Sequence, residues 1–234
     1  MRTDTLPASR AEVLVNDYVR SVYNWMGIGL ALTGFVAYYV SANEAMTRFI
    51  FGNTMVFFGL LIGQLALVFA ISGMVQRMSA GTATFLFVIY SGLTGVTLSF
   101  IFLVYARATI FSTFFICAGT FAACSIYGWT TKRDLTSLGG FLLMGLFGII
   151  IATVANMFMR SSGMSMMISY IGVIVFVGLT AYDTQKIKNM ALTQPAALDG
   201  AVIRKGAILG ALSLYLDFIN LFLMLLRIFG QSRE

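Results

Sequence analysis

The chain has 234 residues, 59% of them hydrophobic and only 10% charged, with a formal net charge of +6. A soluble domain carries charge at about a quarter of its positions, so the polar surface here is too small to coat a water-soluble globule. The lack of histidine excludes the usual zinc sites and Ser-His-Asp catalysis, and basic residues scattered singly or in pairs between apolar runs speak for orientation in a bilayer, not for nucleic acid.

The first 22 residues mix charges and are too long for the basic start of a cleaved signal peptide. Leu14, Tyr18, Val22 and Trp25 follow at helical spacing, which predicts an amphipathic lead-in helix at the membrane interface, running into span one. The apolar runs predict an all-α polytopic membrane protein with seven spans, at 23–41, 54–74, 83–105, 109–130, 137–159, 164–185 and 206–229. The organisation is then a cytoplasmic segment 1–22, a transmembrane domain 23–230 and a short external tail 231–234. Connections such as "RA" at 107–108 and "RSSG" at 160–163 make consecutive helices antiparallel neighbours. The longest inner connection is 186–205, with Pro195 in it.

Several features inside the spans read as packing. "GIGLALTG" at 27–34 lacks the strand-turn-helix setting of a nucleotide site. Gly92, Gly95, Gly139, Gly140, Gly145 and Gly148 suit close helix approach. Cys117 and Cys124 stand about 10 Å apart along one helix, too far to bridge. Asn156 is a polar anchor near the end of span five.

Orientation follows from lysine and arginine. Arg2, Arg10, Arg20, Arg77, Lys132, Arg133, Lys186, Lys188, Arg204 and Lys205 fall on one side; Arg48, Arg107, Arg160, Arg227 and Arg233 fall on the other. The richer side is cytoplasmic, so the N-terminus is inside and, with seven spans, the C-terminus outside.

Span seven holds the main anomaly. "ALSLYLDFINLFLMLLRIFG" (211–230) is long enough to cross a bilayer, yet carries Asp217. A carboxylate at mid-membrane costs roughly 2.5–3.5 kcal/mol on insertion scales. Gly206, Gly210, Ser213, Asp217, Asn220, Met224 and Arg227 recur at alternating spacings of four and three, a small and polar stripe on one helix face. Asp217 therefore faces protein or a cavity.

One other acid belongs to a span: Asp183, at the cytoplasmic end of span six, three residues before Lys186. Taken from their nearest basic residues, the depths of Asp183 and Asp217 differ by about 13 Å. An inward extension of helix six, or an earlier start of helix seven, reduces that gap. Spacing thus permits a pair without requiring one; Asp183 can equally be an interfacial acid paired with Lys186. In contact, two carboxyls would share one proton, because two adjacent negative charges repel. Such a pair is a pH-sensitive latch and offers oxygens suited to calcium.

"YGWTTKRDLTSLGGFL" (127–142), "IGVIVFVGLTAYDTQKIKNM" (171–190) and "ILGALSLYLDFINLFLMLLRIFG" (208–230) resemble the Bax inhibitor-1 family, also called the transmembrane Bax inhibitor motif family, in its bacterial inner-membrane branch. The resemblance covers nearly all of the chain from about residue 20. It implies seven helices with the last one central, and an aspartate pair carried by Asp183 and Asp217. It implies a pH-sensitive calcium leak channel, with calcium as permeant ion and no other cofactor. Some bacterial relatives instead bind a membrane-anchored ATP-dependent protease, which makes a non-conducting regulator the alternative. Ser213 and Asn220 stand in support on the same stripe. Two departures bear on the latch: Gln64 stands where a related channel has a glutamate, and Arg77 is alone where that channel has a basic cluster.

An enzyme is not expected. Tyr182-Asp183 matches half of the intramembrane aspartyl protease pattern, but "LYLD" at 214–217 lacks the glycines of the other half.

Overall fold

The computed structural model describes residues 8–193 and 200–230. The helices are α1 (Ala8–Ala42), α2 (Glu44–Gly52), α3 (Thr54–Met74, extended by a 3₁₀ turn at Val75–Arg77), α4 (Ala80–Leu98), α5 (Ile101–Val104), α6 (Arg107–Thr130), α7 (Thr136–Met159), α8 (Ser162–Thr193) and α9 (Gly200–Phe229). Among the described residues, seven helical segments are long and apolar enough to cross a membrane. The chain is an all-α, multi-pass membrane protein. The first seven residues, the segment 194–199 with Pro195, and the tail 231–234 lie outside the described residues.

By their own contacts the residues form two units. One is Met1–Leu103 with Ile187–Leu212, the other Val104–Lys186 with Ser213–Glu234.

In the first unit, α1 and α4 approach closely because their contact positions are small. A Cβ on Gly95 would lie 2.7 Å from the Thr33 carbonyl oxygen, and one on Gly29 2.7 Å from the Phe87 ring. The Thr33 hydroxyl donates to Ser91 O at 2.8 Å. Val15, Tyr18, Val22 and Met26 are buried at helical spacing, so the lead-in segment is continuous with span one. The buried stripe takes in Val15 and Met26, with Trp25 at its edge under the Arg204 guanidinium, 5.7 Å from the ring centroid, while the side chain of Leu14 lies outside the described residues.

Three expected boundaries change. The inner connection 186–205 is mostly helical: α8 runs on to Thr193 and α9 starts at Gly200. α8 contains no proline between Ser162 and Thr193, so nothing stops it at the membrane edge. Span three is interrupted at Ser99–Phe100, dividing α4 from α5. The short helix α2 fills the connection between spans one and two. It lies between two asparagines that cap by accepting backbone N–H groups, Asn43 from Met46 and Asn53 from Met55 and Val56.

In the second unit, α7 ends on Arg160 in the left-handed region (φ 51°). Asn156 fixes that turn: its Oδ1 accepts from Ser161 N at 3.0 Å and its Nδ2 donates to Ser165 Oγ at 2.7 Å. Both cysteines are free thiols. Cys117 donates to Phe218 O at 3.7 Å, and Phe114 and Phe121 pack edge-on against Phe218, which seats α9 on α6.

Candidate functional site

The site is built on α8. Ala181 and Gln185 point about 160° away from Asp183 around the helix, while Tyr182 and Thr184 point about 100° to either side. All four are taken up by α6, α7 and the loop between them. Gly128 of α6 lies against the Ala181 backbone, so closely that any side chain there would strike the Ala181 carbonyl. Gly139 of α7 lies under the Tyr182 ring. Thr184 donates to Ser125 of α6 at 3.5 Å. Gln185 accepts from Leu135 N at 2.8 Å and donates to Arg133 O at 2.8 Å. With its back so occupied, α8 presents Asp183 on the opposite side.

That side meets α9. Gly172 shares a face with Asp183, eleven residues and about 20° away. It receives Met224 of α9, whose Cγ would lie 2.8 Å from a Cβ at position 172. On α9, Asp217 is seven residues from Met224, again within about 20° of one face. Eleven residues along α8 rise about 16 Å and seven along α9 about 11 Å, so Asp183 and Asp217 are level to within about one turn. The longer helices reduce the depth gap that the basic residues suggested.

Asp217 is buried, 5% exposed, and its Oδ2 has no hydrogen-bond partner among the described residues. Asp183 is half-buried and near enough for its charge to act on Asp217. Lys186 acts on Asp183 from one turn further along α8, and its Nζ lies 5.9 Å from the Tyr182 ring centroid. Among the described residues no three Cys, Asp or Glu side chains gather.

The other expected site residues lie as follows. Ser213 is half-buried on α9, one turn before Asp217. Asn220 is half-buried and its Nδ2 donates to Leu216 O at 2.8 Å, one turn back on its own helix. Gln64 belongs to the first unit, where its Nε2 donates to Leu93 O at 3.5 Å and Thr97 Oγ1 at 3.4 Å. Arg77 is exposed in the 3₁₀ turn of the same unit. The polar stripe of α9 is not its only packed side: Leu214, Tyr215, Phe218, Leu221 and Leu226 are buried too.

Sequence reasoning passed over Gln185, Ser125 and Gly128. A glutamine two residues after a membrane-edge aspartate carries no signal of its own. Its meaning comes from the loop 131–135, where Asp134 accepts from the amide and hydroxyl of Thr136 and starts α7. Those bonds, the hydroxyl's first, hold the exposed Asp134 carboxyl below the usual carboxylate range.

Comparison with known proteins places the chain in a family. The family model described as "Inhibitor of apoptosis-promoting Bax1" matches residues 15–234. The chain is 53% identical over 232 residues to the inner membrane protein YbhL of Escherichia coli K12, covering 99% of this chain and 98% of that one. It is 48% identical over 230 residues to an uncharacterised protein of Borreliella burgdorferi, covering 98% of each. An uncharacterised protein of Deinococcus radiodurans is 43% identical over 220 residues, covering 94% of this chain and 92% of that one. The segments with the aspartates lie inside the span of the family model, and the chain belongs to the Bax inhibitor-1 family.

Proposed function

We propose that the chain is a pH-sensitive cation leak channel of a bacterial inner membrane, with calcium as permeant ion and Asp183 and Asp217 as its gate. The observation that carries this reading is the unpartnered Oδ2 of Asp217, buried on the helix face that meets Asp183. A buried polar atom without a partner is costly, about 1–3 kcal/mol and more when charged, and marks a place where a proton, a water or an ion can bind.

The sign follows from the charges. With one proton between them the carboxyls hold α8 to α9 and the path is closed. As pH rises that proton is lost, the two anions repel, and water or a cation enters between the helices. Closure is a property of low pH and is lost as pH rises. The inner-membrane setting is supported by the printed name of the Escherichia coli relative, and the N-in, C-out orientation by the ten-to-five division of basic residues. We read the chain as a non-enzyme.

Calcium flux into proteoliposomes, followed from acid to mildly alkaline pH, tests the reading. Flux should rise with pH; flux that is flat with pH contradicts the gate. No flux at any pH turns the reading to a non-conducting regulator of a membrane-anchored protease.

A further inference from the structure

We propose that Gln185 is a positioning residue for the aspartate gate, coupling the α6–α7 loop to the orientation of Asp183. The inference rests on the channel reading above.

Gln185 is 8% exposed and uses both ends of its amide on one short stretch of backbone. Its Oε1 takes the Leu135 N–H and its Nε2 gives to the Arg133 carbonyl, each at 2.8 Å. These are the two polar ends of a carboxamide, and glutamine carries this uncharged donor–acceptor pair one methylene further from the backbone than asparagine does. Leu135 is itself buried, and Thr131 N–H donates to Tyr127 O at 2.8 Å, so the loop is fixed at both ends to α6 and α7. Gln185 therefore attaches α8 to a rigid loop at a point about 160° around the helix from Asp183 and two residues along it. The glycine contacts at Ala181 and Tyr182 set how near α8 can come. Apolar contact is non-directional and tolerates rotation. The bidentate amide does not, since both bonds weaken steeply once their angles open. Rotation of α8 about its axis, which would swing Asp183 away from α9, must break them.

Asp217 of α9 and Lys186 of α8 are the charged groups that act on Asp183 or answer to it; the loop on the far side of α8 carries Lys132, Arg133 and Asp134, and α6 carries Cys124 and Tyr127 as titratable side chains. Gln185 carries no charge, so replacing it by an uncharged side chain leaves that set unchanged and alters only geometry.

The test uses the full chain in proteoliposomes. Gln185→Met keeps length and volume but removes both hydrogen bonds. It should move the pH midpoint of calcium flux by about half a unit or more, about threefold in flux at a fixed pH on the slope, while flux at the two pH extremes is kept. Gln185→Leu should do the same. Val175→Ala, which loosens the packing of α8 on Gly145 without touching the loop, should leave the midpoint where it is. Hydrogen exchange gives a readout free of flux: the Leu135 amide should be protected in the wild type and exchange at least tenfold faster in Gln185→Met. An unmoved midpoint in Gln185→Met beside a pH-responsive wild type overturns the inference and leaves the channel reading standing. A midpoint that moves equally in Val175→Ala overturns it as well, since loose packing would suffice. A wild type without pH-dependent flux sinks both.

Discussion

α3 and α9 are almost equally apolar, with mean hydropathies of 2.3 and 2.0 over their best windows. Yet only 6% of the α3 window is buried inside the protein, against 61% for α9. Hydropathy states that a segment can leave water. It does not state whether lipid or protein receives it. What separates the two helices is the treatment of their polar and small positions. On α3, Gly59 and Gly63 have nothing within 4 Å of where a Cβ would stand, and Phe58, Ile62, Leu65 and Phe69 are exposed. On α9, Gly210 fits against Val22 and Ile187, and Asp217 lies on the face that takes Asp183. A small residue is a packing device only where a neighbour comes to fill the space it leaves.

The contrast can be broken most sharply at the aspartate. Asp217→Leu should erase the pH response of calcium flux while the protein melts at or above the wild-type temperature in detergent, because a buried oxygen without a partner is removed. Functional sites are commonly less stable than an apolar replacement. A large fall in melting temperature would mean that Asp217 is a structural hydrogen-bonding residue, and α9 merely a better-packed α3.

A second comparison sets one glycine against another. Gly128→Leu forces a side chain into the Ala181 backbone, which cannot yield, and should cost about 1–3 kcal/mol or prevent folding. Gly59→Leu on α3 meets only lipid and should be neutral or slightly stabilising, by up to about 1 kcal/mol from helix propensity. Thermal melts in the same detergent check both. Equal losses would show that α3 has a protein neighbour at that face.

The smallest effect belongs to Gln64, the polar residue of α3. Its bonds to Leu93 and Thr97 are at the long limit of hydrogen-bond geometry. Gln64→Leu should change stability by about 0.5 kcal/mol and leave the flux profile as it was. A shifted profile would bring α3 into the gate after all.

These particulars show how far sequence alone reaches. The seven spans were legible because about 20 apolar residues in a row have few other uses; six predicted spans fall on one observed helix each, and the third falls on α4 and α5 together. The family was legible from three segments of specific sequence, and the comparisons confirm it. The end of α8 was not legible. Lys186 and Lys188 look like the edge of a membrane span, but lysine is a good helix former and a helix need not stop where the bilayer does. The polar stripe of α9 was legible by spacing; the burial of its apolar sides was not, since leucine and phenylalanine suit lipid and protein alike. Gln185 was invisible for a further reason. Its partners are the backbone of Arg133 and Leu135, some fifty residues away, and backbone groups leave no trace in sequence.

The central claim is that Asp183 and Asp217 act as one unit, and a double-mutant cycle on the pH response of calcium flux tests it most directly. Wild type, Asp183→Asn, Asp217→Asn and the double variant would be measured in the same liposomes from acid to mildly alkaline pH. If the two carboxyls share a proton, either single change should remove most of the pH response and the second should add almost nothing. Two partial losses that sum in the double variant, or a wild-type response in either single, would contradict the account.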